Sequence, residues 1–281
     1  KGQPHLCMAL EVAAAGGHHL LMTGPPGVGK TMAASVLPGL LPPMPQKTAQ
    51  ELRLLQDVAG ATQCGAPPFR APHHSSSVAS LMGGTARALP GDISMAHGGV
   101  LFLDELSEFP HTVLNQLRQP LETGHIRVNR AQCQHLYPAQ FQLVAAMNPC
   151  PCGLAGDPDC RCRCTPDRIR RYRQGISGPL MDRIDLHITL QRPSPEFLLI
   201  KSSTNASYSS DLKHRVGLLQ NRQRERQSCL NRELAGDDLL KACQLKSSTE
   251  RWLINAAATL NLSARSTHRR LRVARTLADM A

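Results

Sequence analysis

One octapeptide constrains this chain more than any other stretch. Gly24-Pro25-Pro26-Gly27-Val28-Gly29-Lys30-Thr31 matches G-x-x-x-x-G-K-[ST] in full. Its glycines let successive backbone N–H groups turn inward, forming an anion nest at a helix N-terminus. The apolar run His18–Thr23 before it is expected to be a buried strand, and Met32–Leu37 after it begins a helix. That strand–loop–helix context is what the motif requires. In it, Lys30 reaches the β- and γ-phosphates of a nucleoside triphosphate and Thr31 places its hydroxyl on Mg²⁺. The chain is therefore expected to bind ATP.

A second stretch supplies the complementary chemistry. Val100–Leu103 is an apolar run ending in Asp104 and Glu105. Asp104 is the expected Mg²⁺ partner, and Glu105 the general base that polarises the attacking water. Val100–Asp104 and Gln142–Asn148 are expected to be central parallel strands, apolar on both faces, and Asp185–Leu190 a fourth strand. Phe69–His74 is a fifth strand candidate interrupted by Pro72. Pro193, Pro195 and the Ser-rich stretch Lys201–Ser210 mark a break. Beyond it Asp211–Ala281 reads as helices alone, with Ser263 as an N-cap for the last. The expected architecture is α/β: a P-loop core with a central parallel sheet over residues 1–192, then a linker and helical lid over 193–281. The lone Trp252 is expected in the lid core.

Charge bears on the partner. The chain carries a formal net charge of +11 over 281 residues, with basic clusters at Arg161–Arg173, Arg222–Arg232 and Arg265–Arg275. Such a balance favours polyanions, nucleic acid above all, through counterion release. A diffuse solvated surface is the competing explanation. No apolar run approaches the ~18–20 residues that span a bilayer, and no segment resembles a signal peptide. A cytoplasmic protein without a membrane partner is expected. The numbering opens on Lys1, which reads as part of a longer protein.

Five of the ten cysteines fall between Cys150 and Cys164. A local knot of thiols points to metal rather than to a disulfide framework. Cys150, Cys152, Cys162 and Cys164 form two C-x-C pairs that could hold one Zn²⁺ tetrahedrally, with Cys160 to spare. Reduced thiols in a loop remain the alternative on spacing alone. His73–His74 and His18–His19 are expected to be structural.

Read together, GGHHLLMTGPPGVGKT, FRAPHHSSS, GVLFLDELSEF, RQPLETGHIRVNRA, QLVAAMNPCPCG, SGPLMDRIDLH and LSARSTHRRLRVARTLAD resemble the magnesium-chelatase-like AAA+ ATPases of bacteria, in particular their ComM/YifB group. The resemblance runs from Lys1 to Ala281 and implies hexameric, ATP-driven DNA motors that promote branch migration in natural transformation. In that group a Lon-protease-like domain precedes this region. The resemblance further implies that Asn148 is the sensor-1 residue orienting the lytic water. Arg183 falls at the arginine-finger position, completing a neighbouring subunit's site. Arg265 matches the lid arginine, sensor 2, that touches the γ-phosphate. Gly2–Gln3 would border the adenine pocket. Residues near Met82–His97 would form a helix-2 insert, and Gly124–Tyr137 a hairpin before sensor 1. Both would point into the ring's pore, with Arg127 and Arg130 as candidate DNA-phosphate contacts. Many relatives carry CPCG followed by CRC, which favours a structural zinc that clips the loop between Asn148 and Arg183. The group usually has an Ala-Arg pair where this chain has Leu219–Gln220. Two other functions stay open: the ATPase motor subunit of a metal (magnesium) chelatase, and a non-enzymatic ATP-binding switch or scaffold.

Overall fold

The computed structural model describes residues 3–62, 65–84, 88–130, 133–157, 162–192 and 206–281, without the side chains of 129, 130, 133 and 206–209. Five parallel strands form the central sheet: β1 (Leu20–Thr23), β2 (Phe69–Arg70), β3 (Val100–Leu103), β6 (Gln142–Met147) and β7 (Leu186–Thr189), in the order β2-β3-β6-β1-β7. Strands β4 (His125–Arg130) and β5 (Cys133–Pro138) form a separate antiparallel hairpin. Side chains alternate between the faces of a strand. Leu21, Leu101, Leu103, Leu143, Ala145 and Met147 enter one core, together with Val113, Leu114 and the hairpin's Ile126 and Val128. Leu20, Met22, Val100, Phe102, Val144 and Ala146 enter the other, beneath helices α1 (Pro4–Gly16) and α2 (Lys30–Leu40). Burial on both faces explains the unbroken apolar runs of the three inner strands. The fifth strand candidate shrinks to two residues, because Pro72 cannot continue an edge ladder.

Parallel strands place all their carboxyl ends at one rim of the sheet, where open α/β folds bind ligands. Thr23 leads there into the glycine-rich loop, Leu103 into Asp104, and Met147 into Asn148. Neighbouring registers Met22↔Ala146 and Phe102↔Val144 bring these three ends together.

The C-terminal region is helical: α10 (Ala206–Gln227), α11 (Gly236–Cys243), α12 (Ser247–Thr259) and α13 (Ala264–Met280). Ser263 caps α13, its hydroxyl accepting from Ser266 N–H at 3.2 Å. This region grips the C-terminal end of α1. Gln220 Nε2 donates to Ala14 O at 2.8 Å and Gln223 Nε2 to Ala15 O at 3.1 Å, satisfying carbonyls that the end of a helix leaves without partners. Trp252 is not in the lid core. It is 68% exposed on α12, a helix with no buried residue. Most of the proposed linker, residues 193–205, lies outside the described residues, as do Gly2 and Cys160. No helix among the described residues is long and apolar enough to cross a membrane.

Candidate nucleotide site

Gly27 and Gly29 take φ of +80° and +88°, left-handed values that open the loop for its backbone to face a ligand. A Cβ on Gly24 would lie 2.8 Å from Leu190 O, so the loop begins at a position that only glycine fits. Helix α2 starts at Lys30 and aims its N-terminus at the loop. Lys30 Nζ donates to Gly24 O at 2.6 Å, Pro25 O at 2.9 Å and Asn148 Oδ1 at 3.1 Å. Burial lowers its pKa, while Asp104 and Glu105 oppose that shift. Thr31 Oγ1 donates to Asp104 Oδ2 at 2.6 Å, so the two expected Mg²⁺ partners already touch. A cleft of about 400 Å³ is lined by Val28, Lys30, Thr31, Asp104, Glu105 and Asn148.

Glu105 is the strained member of the set. Its φ of +51° is left-handed, uncommon for a residue with a side chain. Its own N–H donates to Asp104 Oδ1 at 2.9 Å, which holds this conformation. Strain of this kind collects at functional sites and costs on the order of 1–3 kcal/mol. The Glu105 carboxylate lies 3.3 Å from His74 Nδ1. The His74 ring packs against His73 at a tilt of 33°, with ring centroids 4.1 Å apart. The expectation of a structural role for His74 missed this contact. No local pattern signals it, because β2 and β3 must pair before the two residues meet. Gln3 Nε2 donates to Val28 O at 3.4 Å and Gln191 O at 3.2 Å, beside the loop.

Arg183 and Arg265 lie elsewhere. Both guanidiniums donate to Glu122 Oε1, Arg265 at 3.3 Å. They line a cleft of about 770 Å³ between core and lid that shares no lining residue with the nucleotide cleft. Burial raises the Glu122 pKa, but Arg183 and Arg265 outweigh it and hold the carboxyl below its ordinary value. Neither arginine touches the phosphate loop of its own chain. Glu122 was not singled out by the sequence, since nothing near it marks a partner.

The hairpin leaves Arg127 exposed, while the side chain of Arg130 lies outside those described. In the proposed insert, Gly83 and Pro90 form one antiparallel bridge ahead of a short helix, Asp92–Met95; residues 85–87 lie outside the described residues.

The sulfurs of Cys150, Cys152, Cys162 and Cys164 all lie within 4.8 Å of one another. Individual separations are 3.3 Å for Cys150–Cys152, 3.5 Å for Cys152–Cys162 and 3.7 Å for Cys150–Cys162. Four thiolates about 2.3 Å from a zinc ion sit about 3.8 Å apart, so this donor set fits one. Backbone N–H groups of Ala155 and Cys164 point at the sulfurs of Cys150 and Cys162, a second layer suited to thiolate charge. The loop also touches the nucleotide site: a Cβ on Gly153, at φ +79°, would lie 2.7 Å from Pro26 Cδ.

Residues 1–198 match the family described as magnesium chelatase, subunit ChlI, and residues 206–281 match that subunit's C-terminal family. Over 284 residues the chain is 44% identical to a Salmonella typhimurium protein named uncharacterized protein YifB, covering 99% of this chain and 55% of the relative. It is 43% identical to competence protein ComM of Haemophilus influenzae, with the same coverage. A Mycobacterium bovis protein is 44% identical over 290 residues, covering all of this chain and 57% of the relative. The chain thus spans little more than half the length of these relatives. With a parallel-sheet core, a helical C-terminal region and family matches over nearly its whole length, this chain belongs to the magnesium-chelatase family of AAA+ proteins, within its ComM/YifB group.

Proposed function

We propose that the chain is the ATP-hydrolysing module of a ring-forming motor that remodels DNA. The observation that carries this reading is the division of the catalytic groups between two clefts. Lys30, Thr31, Asp104, Glu105 and Asn148 converge on one, and Arg183 and Arg265 meet on another. A site divided in this way is completed when copies stack side by side, each lending arginines to the triphosphate of the next. Arginine donation of this kind contributes about 10³–10⁵ in rate. Bound Mg²⁺ would neutralise charge on the β- and γ-phosphates. Thr31 and Asp104 would hold it, Lys30 would bind the same phosphates, and Glu105 would take the proton of the attacking water. Asn148, joined to Lys30, would orient that water. Zn²⁺ on the four cysteines would be structural, clipping the loop that follows Asn148.

DNA as substrate is supported by the net charge of +11 and by Arg127, exposed on the hairpin. It also agrees with the name of the ComM relative, a competence protein. The finer reading is a hexamer driving branch migration in natural transformation, in the cytoplasm. The experiment compares ATP turnover of the full-length protein with and without branched DNA, alongside Glu105→Gln and Arg183→Ala. Stimulation by DNA that both substitutions abolish supports the motor. Stimulation only by a metal-chelatase partner would replace DNA with tetrapyrrole metallation, and no turnover under any condition would leave an ATP-binding switch.

A further inference from the structure

Arg183 is the most enclosed of the two arginines on Glu122. Its side chain is 6% exposed and its Nε has no hydrogen-bond partner. Arg265 and Arg118 add like charge around it. A buried guanidinium in such a field needs a counter-charge to keep its place. Glu122 provides it. Its Oε1 accepts from Arg183 Nη2 and from Arg265 Nη2, while the other bond of Arg183, to Pro179 O, is to a neutral group. The arginines come from distant parts of the chain: Arg183 from the turn before β7, Arg265 from the first turn of α13. Among the described residues Glu122 is the one acceptor they share. Its carboxylate and Arg265 are each about half exposed, so the pair opens to the surface on that side.

We propose that Glu122 is a positioning residue for this pair. It holds Arg183 and Arg265 side by side, so that one copy of the chain presents two guanidiniums together to the triphosphate bound by its neighbour. The inference rests on reading the two arginines as acting across a subunit boundary. A guanidinium fork donates to carboxylate or phosphate oxygens in the same geometry. Glu122 can therefore hold the pair in waiting and yield to the more highly charged phosphate. It also lies in the last turn of the helix Arg118–Thr123, whose cap at Gly124 leads into the hairpin, so the pair is anchored next to the element read as the DNA contact.

Mixed rings of the full-length protein test this. Arg183→Ala subunits keep their own phosphate loop but lend no finger. Glu105→Gln subunits cannot hydrolyse but still lend both arginines. Mixing them is expected to restore turnover at the Arg183→Ala sites. Donors carrying Glu105→Gln with Glu122→Gln are then expected to restore about tenfold less per donor incorporated, in kcat rather than KM. Glu122→Asp donors should recover part of the difference. Equal rescue by the Glu122→Gln donors, or a loss confined to KM, overturns the role of Glu122 and leaves the cross-boundary reading standing. No rescue by donors with Glu122 intact overturns that reading itself.

Discussion

At the scale of single residues, the nucleotide cleft divides binding from chemistry. In the function proposed here Lys30, Thr31 and the glycines would face the phosphates, whereas Glu105, two residues beyond β3, has the strained backbone. Glu105→Gln is therefore expected to keep ATP affinity within a few-fold while turnover falls about 10²–10⁴. Calorimetric titration and a phosphate-release assay would separate the two quantities, and a parallel loss of affinity would contradict the division. His19 makes a different prediction. Burial first, then the charge of Arg232, lowers its pKa from 6.5 to about 3, with Asp185 opposing and His18 assisting. Its ring is neutral in the fold, and its Nδ1 accepts from Leu143 N–H at 2.8 Å. Between pH 6.5 and about 3 the unfolded chain binds the extra proton and the folded chain does not. This contribution to stability is complete above pH 6.5 and is lost as pH falls. Melting temperatures should decline from pH 7 to pH 5, and His19→Asn, which offers an acceptor that does not titrate, should flatten that slope.

At the scale of elements, the cysteine loop and the phosphate loop act as neighbours. Gly153 follows Cys152 directly and packs on Pro26 with no room for a side chain. Gly153→Ala combines a left-handed backbone with a clash against the phosphate loop, and is expected to weaken ATP binding about tenfold. Unchanged affinity would show that the two loops move independently. Purified protein should carry one zinc per chain by atomic spectrometry. Its removal by a chelator should lower the melting temperature and increase protease cleavage within residues 150–164. The grouping of Cys150, Cys152, Cys162 and Cys164 was legible from spacing, because residues so few positions apart stay close in a compact loop. Its contact with Pro26 was not, because it depends on the loop folding back across the rim of the sheet.

At the scale of the whole molecule, the lid is held by a buried carboxylate. Asp279 accepts from Arg226 at 2.6 Å, Arg275 at 2.6 Å and Asn231 at 2.9 Å, with its side chain 1% exposed. Thr276, one turn earlier, meets His18 Nε2 at 2.8 Å and so joins lid to core. Asp279→Ala leaves two guanidiniums without their partner and is expected to cost roughly 3–5 kcal/mol, seen as a lower denaturant midpoint. Gln220 is buried against Ala14 O, so a neutral amide joins the C-terminal region to the end of α1 at this point.

Much of this protein could be read from its residues alone. The phosphate loop, the strand leading into Asp104–Glu105 and the helical C-terminal region each rest on local order: a glycine pattern, an unbroken apolar run, an absence of strand-like stretches. Local order is set by neighbours in sequence, and so it is visible there. Only the tertiary structure decided that Thr31 meets Asp104, that His74 faces Glu105, that Trp252 stays exposed, and that Arg183 and Arg265 share Glu122 away from their own phosphate loop. Each of these depends on which strands pair and where the lid docks. No short-range pattern encodes that choice, because the energy that selects it comes from burying both faces of one sheet at once.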